Sequence, residues 1–326
     1  MLGHYDVAVV GGGPAGLSAS LVLGRARRSV ALIDDGNPRN SSVEAMHGYL
    51  TRDGSSPREF LKIASREMAV YPTVERFAVR ATSAEATGGK FLLRLGDGRE
   101  LISRRVLLST GMVDVLPEIG GLADRWGVSV FVCPFCDGWE FRDRRIAVYS
   151  AGRRAIDLAK EMRGWTDQVV ACVECDDLND DDRAWLAASG TRLVVAKAVR
   201  LLGAGRSLST MEFADGTGIG CDVLFVDAAL RQHSDLFKRL GCRLAPGGSI
   251  AVGPGGQTSV SGCYAAGDAT TDVHQVIVSA ASGARAGIAI TLDLLETDAK
   301  DLVDARHHTR PISDSKHMTV TGTRGS

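Results

Sequence analysis

The sequence predicts an α/β fold made of two nucleotide-binding, Rossmann-like domains, the second inserted in the first. Three observations carry this. A strand, a glycine turn, a helix and another strand follow one another at the N-terminus; the same order returns near residue 145; and after residue 241 a turn-rich stretch, a strand and a helix read as a return to the first unit. A length of 326 residues also exceeds what one hydrophobic core usually supports.

In chain order, the first βαβ unit is the strand Asp6–Val10, the turn Gly11–Gly16, the helix Leu17–Arg27 and the strand Val30–Ile33. A strand over 101–110 ends at Thr110 and Gly111, and Leu116-Pro117 with Gly120-Gly121 reads as the connector out of the first domain. The second unit takes the strand Arg145–Tyr149, the turn Ser150–Ala155, a helix to Met162 and the strand Gln168–Val173. The turns Ala245–Gly248 and Gly253–Gly256 precede a strand Gly262–Ala266 and a long helix from about Gln275. The domains are therefore set at 1–115 with 242–296, and at 116–241. From 297 to 326 periodicity fades through His307 and His308, so this stretch is expected to be a loosely ordered polar tail.

Bulk properties exclude several classes. With 38 basic and 39 acidic residues the formal charge is -1, so no global field favours nucleic acid or an anionic membrane surface. The apolar runs are short, far below the roughly 20 residues of a membrane helix, so no membrane partner is expected. The N-terminus enters a strand at Tyr5 with no signal-peptide pattern before it, and a cytoplasmic protein is the default. Seven cysteines spread over a long chain are not a disulfide framework; in a reducing compartment a close pair is catalytic or metal-binding.

Gly11, Gly13 and Gly16, with Pro14 and Ala15 between, follow a strand and open a helix, and Asp34 comes 18 residues later at the end of the next strand. Glycines there allow the tight turn, let backbone approach a pyrophosphate and let the helix pack closely, while the helix N-terminus offers N–H groups to phosphate. Asp34 would accept hydrogen bonds from a ribose. Cys133 and Cys136 stand at the spacing that closes a small disulfide ring poised for exchange. A zinc site with Cys172 and Cys175 is arithmetically open, but the gap of 35 residues is long for zinc and spans a whole βαβ unit, so no metal is assigned. Asp137 beside the dithiol is a candidate proton carrier, or else a turn cap; Trp139 is a pocket wall or simple packing.

Gly11–Gly16, Ser109-Thr-Gly111, Cys133–Gly138 and Tyr264-Ala-Ala-Gly-Asp268, in this order, resemble the low-molecular-weight thioredoxin reductase family over roughly residues 5–295. That resemblance implies FAD at the first site and a homodimer. It places Gly267 and Asp268 at the ribityl chain, His274, Gln275 and Val276 at the flavin ring, and Arg39, Asn40 and His47 among further flavin contacts. It also implies that Cys136 faces the flavin while Cys133 exchanges with substrate.

The middle domain departs from such a reductase. Ser150 stands where the first glycine of a second dinucleotide turn belongs, and Arg153 and Arg154 replace small residues. Glu174, Asp176 and Asp177 follow the second strand, where a 2′-phosphate would need basic groups, although Glu174 could accept the ribose hydroxyls of NADH. This departure, with the stretch Pro38–Asn40 and His47–Gly54, resembles the thioredoxin-reductase-like dithiol oxidases that close disulfides of gliotoxin-, holomycin- and romidepsin-type natural products. The resemblance implies a small-molecule dithiol and O2 as partners, with H2O2 as product. A reductase fed by NADH or ferredoxin, and a non-catalytic flavin redox sensor, stay open as alternatives.

Overall fold

The computed structural model describes residues 2–271 and 273–308. Its first domain opens with β1 (Gly3–Val10), α1 (Pro14–Arg25) and β2 (Val30–Ile33), then α2 (Pro57–Met68), β3 (Val74–Phe77), β4 (Ala81–Thr87), β5 (Lys90–Leu95) and β6 (Glu100–Leu108). β7 (Met112–Val115) leads out. The second domain holds α3 (Leu122–Arg125), β8 (Val130–Phe131), α4 (Pro134–Asp137), β9 (Ile146–Ser150), α5 (Arg154–Met162), β10 (Val169–Val173), α6 (Asp180–Ser189) and β11 (Arg192–Val195). It continues with β12 (Ala198–Leu202), β13 (Thr210–Phe213), β14 (Gly218–Gly220) and β15 (Val223–Val226). β16 (Ala229–Gln232) leads back to α7 (Leu236–Leu240), β17 (Cys263–Ala265) and α8 (Val276–His308).

The first sheet runs β3-β2-β1-β6-β5-β4, and β17 joins the far half of β6. Val7–Val10 and Val30–Ile33 are buried along their whole length, the pattern of parallel strands covered on both faces. β6 pairs in parallel with β1; on its other side it meets β5 antiparallel at Glu100–Ser103 and then β17 in parallel at Val106–Leu108. That handover brings Tyr264 to Asp268 alongside the glycine turn. The second sheet, β11-β10-β9-β15-β8, repeats the parallel arrangement, and β7 with β16 forms the two-stranded link between the domains. The two-unit α/β architecture read from the sequence is the one observed.

α8 crosses α1 at glycines. A Cβ on Gly283 would lie 2.0 Å from the carbonyl oxygen of Ala15, and one on Gly287 would lie 3.0 Å from that of Ala19. Ala286, Ile290 and Leu294 bury one stripe of α8 in the core shared with Leu17, Ala19 and Leu23 of α1. Asp293 fastens the same helix to the sheet, taking hydrogen bonds from Arg105 Nε (2.6 Å) and Tyr264 OH (2.7 Å). By length and composition alone α8 is apolar enough to cross a membrane, longer than the short runs noted in the sequence; its inner stripe is occupied by α1.

Two boundaries differ from the sequence reading. Residues from 297 were expected to be a loosely ordered tail, but α8 continues to His308. Asp298 accepts from Arg28 Nη1 at 2.8 Å and Arg104 Nη2 at 2.5 Å, so the polarity there marks a surface helix tied by ion pairs rather than a loss of helix. The rest of that expectation, 309–326, lies outside the described residues, as do the side chains of His307 and His308. The chain also rejoins the first domain before residue 242, because Leu236, Phe237 and Leu240 of α7 pack in one core with Ala81, Ala84 and Phe91. A five-residue helix is too short to show a period, even with three apolar positions.

Candidate active site

A cavity of about 1580 Å³ runs from the glycine turn to the Cys133–Cys136 disulfide. Binding pockets for one small ligand are commonly ~300–1,000 Å³, so there is room for a dinucleotide and a further molecule. At one end the chain must turn sharply. Gly11 has φ +105°, and a Cβ on it would lie 2.2 Å from the Ser109 carbonyl oxygen, while one on Gly16 would lie 1.8 Å from the Gly11 carbonyl oxygen. Gly16 is thus a packing residue and does not line the cavity, whereas Gly11, Gly13, Pro14 and Ala15 do. Gly13 is the N-cap of α1 with no side-chain cap, Pro14 occupies the first turn, and a Cβ on Gly13 would meet nothing within 4 Å. The helix therefore points uncapped N–H groups into open space shaped for an anion.

Carboxylates beside this turn are held by backbone at Asp34 and by side chains at Asp268. Asp34 Oδ1 accepts the Gly12 N–H at 2.9 Å. Asp268 Oδ1 accepts from Ser279 Oγ at 2.6 Å, and its Oδ2 meets Arg39 Nη1 at 3.0 Å. Arg39 itself makes a bidentate contact to Asp114 on β7, at 2.7 and 2.5 Å, so it ties the interdomain link to Asp268. Gly267 has φ +77°, and a Cβ there would come within 2.8 Å of Ala15 Cβ. Asn40, Gly267, His274, Gln275 and Val276 all line the cavity.

The described residues fit a bound flavin dinucleotide. His274 Nε2 and Gln232 Oε1 are buried, face the same cavity and have no hydrogen-bond partner, which is costly for groups left unfilled. Together with the cradle at Gly13, they mark a site built around a polar ligand. Gln232 had no signal in the sequence; only the pairing of β16 with β7 brings it here.

At the other end, Cys133 caps α4, Pro134 starts it, and the N–H groups of Cys136 and Asp137 both donate to the Cys133 carbonyl at 3.2 Å. This tight turn holds Cys133 and Cys136 as a disulfide with Cα atoms 5.3 Å apart. Gly138 is required behind them, since a Cβ there would lie 2.5 Å from the Pro134 carbonyl oxygen and 3.0 Å from the Trp165 ring. Phe135 is 66% exposed at the rim and stands edge-on to Trp165 at 5.6 Å. Trp139 is 64% exposed beneath the Arg142 guanidinium, outside the cavity lining, so it is neither core packing nor a pocket wall.

Asp137 lines the cavity beside the disulfide, and its carboxyl is pushed up to about 7. Burial is the main cause, the Glu140 carboxylate adds to it, and His47 partly offsets both. His47, expected among flavin contacts, lies on the cavity wall between two carboxylates: Nε2 is 3.5 Å from Glu140 Oε1 and Nδ1 is 3.5 Å from Asp53 Oδ1. Sequence reading missed both acids. Glu140 sits one residue after Trp139 in the dithiol segment, which was the available hint.

The side chains at the turn of the middle domain are paired with one another and with neighbouring acids. Arg153 donates to Asp182 from Nε at 2.7 Å and Nη2 at 3.0 Å, and Lys160 adds a third contact at 3.2 Å. Arg154 pairs with Glu161 at 3.2 Å. Ser150 Oγ donates to Asp227, and the Tyr149 hydroxyl donates to Glu174 Oε1 at 2.5 Å, engaging one oxygen of the acid that a ribose would need. Cys172 is buried and Cys175 exposed, and no group of potential metal ligands occurs among the described residues.

Residues 5–285 match the family described as pyridine nucleotide-disulphide oxidoreductase. The chain is similar to a probable thioredoxin reductase of Arthroderma benhamiae, at 30% identity over 93% of this chain and 83% of the relative. It is 29% identical to thioredoxin reductase sirT of Leptosphaeria maculans, over 90% and 95% of the two chains. Among solved structures, HlmI superposes with a TM-score of 0.90 at 35% identity, covering 94% of this chain and 97% of that one.

Proposed function

Since this chain belongs to the pyridine nucleotide-disulphide oxidoreductase family and is a thioredoxin-reductase-like, flavin-dependent thiol–disulfide oxidoreductase, we propose that it oxidises a small-molecule dithiol to its disulfide, with O2 as the final acceptor. The observation that carries this direction of electron flow is the middle-domain turn. Arg153, at the turn whose sequence pattern would have to approach a nicotinamide dinucleotide's pyrophosphate, is committed to Asp182, and Tyr149 engages Glu174. Electrons then have one open entrance, the disulfide at the cavity.

In this reading one substrate thiolate attacks Cys133 Sγ, the Cys133–Cys136 bond breaks, and Cys136 leaves as a thiolate. The second substrate thiol gives its proton to Asp137 and attacks the substrate sulfur of the mixed disulfide. A substrate disulfide departs, and both enzyme cysteines are left reduced. Asp137 suits the proton because its carboxyl, pushed up to about 7, changes charge near neutrality. FAD bound along Gly11–Ala15, Asp34 and Asp268 would supply the two-electron chemistry that returns the dithiol to the disulfide and reduces O2 to H2O2. Dithiol plus O2 gives disulfide plus H2O2, so atoms and electrons balance. A cytoplasmic setting suits this reading, because free thiols such as Cys175 persist where glutathione keeps them reduced.

The test mixes the flavin-loaded protein with a small dithiol in air, without nicotinamide, and follows oxygen uptake and disulfide formation. Turnover that needs Cys133 supports the proposal. Failure to consume oxygen, together with rapid bleaching of the flavin by NADH or NADPH, overturns it in favour of a reductase.

A further inference from the structure

Beyond the dithiol itself, His47 stands out because both of its ring nitrogens face acids from different parts of the chain. Asp53 belongs to the same turn, whose shape is fixed by the Gly48 N–H donating to Asp53 Oδ1 at 2.9 Å and by the bridge between Met46 and Ser55. Glu140 belongs to the dithiol segment, three residues beyond Asp137. We propose that His47 and Glu140 are positioning residues that act as a charge pair setting when Asp137 holds or releases its proton, and through it the exchange chemistry at Cys133 and Cys136. The inference rests on the reading of Asp137 as the proton acceptor.

The geometry makes the two partners act in opposite senses. Asp137 is partly buried at the cavity wall, where a nearby charge is weakly screened. Glu140 opposes ionisation of Asp137, and His47 favours it, while Asp53 holds the far side of the imidazole. Other charged side chains on the neighbouring helix α5 that line the cavity, Arg154 and Glu161, are paired with each other at 3.2 Å and cancel locally. The His47–Glu140 contact also crosses from the first domain to the dithiol segment, so the two opposed influences added to the burial of Asp137 come from different parts of the chain. A histidine oriented at one nitrogen by a carboxylate and working at the other is a recurrent way to fix such a charge.

The experiment follows the protonated-carboxyl infrared band of Asp137 against pH in the flavin-loaded, full-length protein with its disulfide intact. The band is assigned by its loss in Asp137→Asn. In the unaltered chain the midpoint is expected at about 7. Glu140→Gln is expected to move it down, and His47→Gln to move it up, each by roughly half a pH unit to one unit; the double variant returns it close to the starting value. Glu140→Ala and His47→Asn serve if either first variant fails to fold. Midpoints that stay put, or that move in the same direction in both variants, overturn the proposal, since a purely structural role gives no opposed shifts. No substrate or oxygen enters this measurement. A failed oxygen-uptake assay therefore sinks the oxidase reading and leaves this one standing, and the converse also holds.

Discussion

Arg153 and Asp182 form a two-point ion pair across the turn of the middle domain, at 2.7 and 3.0 Å, on a carboxylate with 0% exposure. A buried acid of this kind needs its cations, and Lys160 supplies the second. Replacing Asp182 with Asn is expected to lower stability by about 1–2 kcal/mol, less than a fully buried pair because Arg153 and Lys160 are partly solvated. Thermal or urea denaturation checks this. In the unaltered chain, anaerobic addition of NADH or NADPH should leave the flavin absorbance unchanged on the timescale on which a dithiol bleaches it; bleaching at matching rates would show the turn to be open.

Asp137 gives a pH dependence with a definite sign. Its carboxyl loses the proton only near pH 7, so the basic form that accepts a thiol proton grows as pH rises through that value. Reduction of the Cys133–Cys136 disulfide by a dithiol should accelerate through the same range, beyond what the substrate thiol's own ionisation explains, and Asp137→Asn should remove that inflection. The same group affects stability in the opposite sense. Between the ordinary carboxylate range and about 7 the folded chain keeps a proton that the unfolded chain has lost, so this contribution falls as pH rises.

Thiol labelling separates the remaining cysteines. Cys172, Cys221, Cys242 and Cys263 are buried and Cys175 is exposed, while Cys133 and Cys136 are joined. Burial raises the Cys172 thiol, and it pushes that of Cys221 up to about 12, so neither offers thiolate at neutral pH. A thiol reagent should modify one cysteine per folded chain, at Cys175, and five after unfolding without reductant. Rapid labelling of two or more in the folded protein would contradict the packing described.

Gly13 and Gly283 should fail in different ways when changed to Ala. At Gly283 the added methyl meets the Ala15 carbonyl oxygen at 2.0 Å and must push α8 off α1, at a cost on the order of 3 kcal/mol. At Gly13 it enters open cavity, so the melting temperature of the flavin-free protein should hardly move while flavin content after purification drops. Equal losses of stability in the two variants would remove the distinction between packing and ligand approach.

Local signals made much of this legible. Four-residue apolar runs, a glycine turn before a helix and a two-residue gap between cysteines are patterns of the chain itself, and they mark β1, β2, the N-terminus of α1 and the dithiol. α7 and the continuation of α8 past residue 297 were not legible. The first is too short to show a period, and the second is polar because Asp298 meets Arg28 and Arg104 rather than water alone. Gly283 carries no local signal, because its role lies in the close approach of α1 across the helix crossing.

What the sequence alone determined is the chemistry available: a parallel α/β frame with an uncapped helix start facing a ligand, and a dithiol at exchange spacing. What only the tertiary structure decided is the charge that surrounds that chemistry. His47, Asp53 and Glu140 converge beside Asp137, and Arg153 closes over Asp182, because chain segments far apart in sequence are folded onto one another. Backbone pattern is encoded over neighbouring residues, whereas Coulomb interaction and desolvation depend on distances through space.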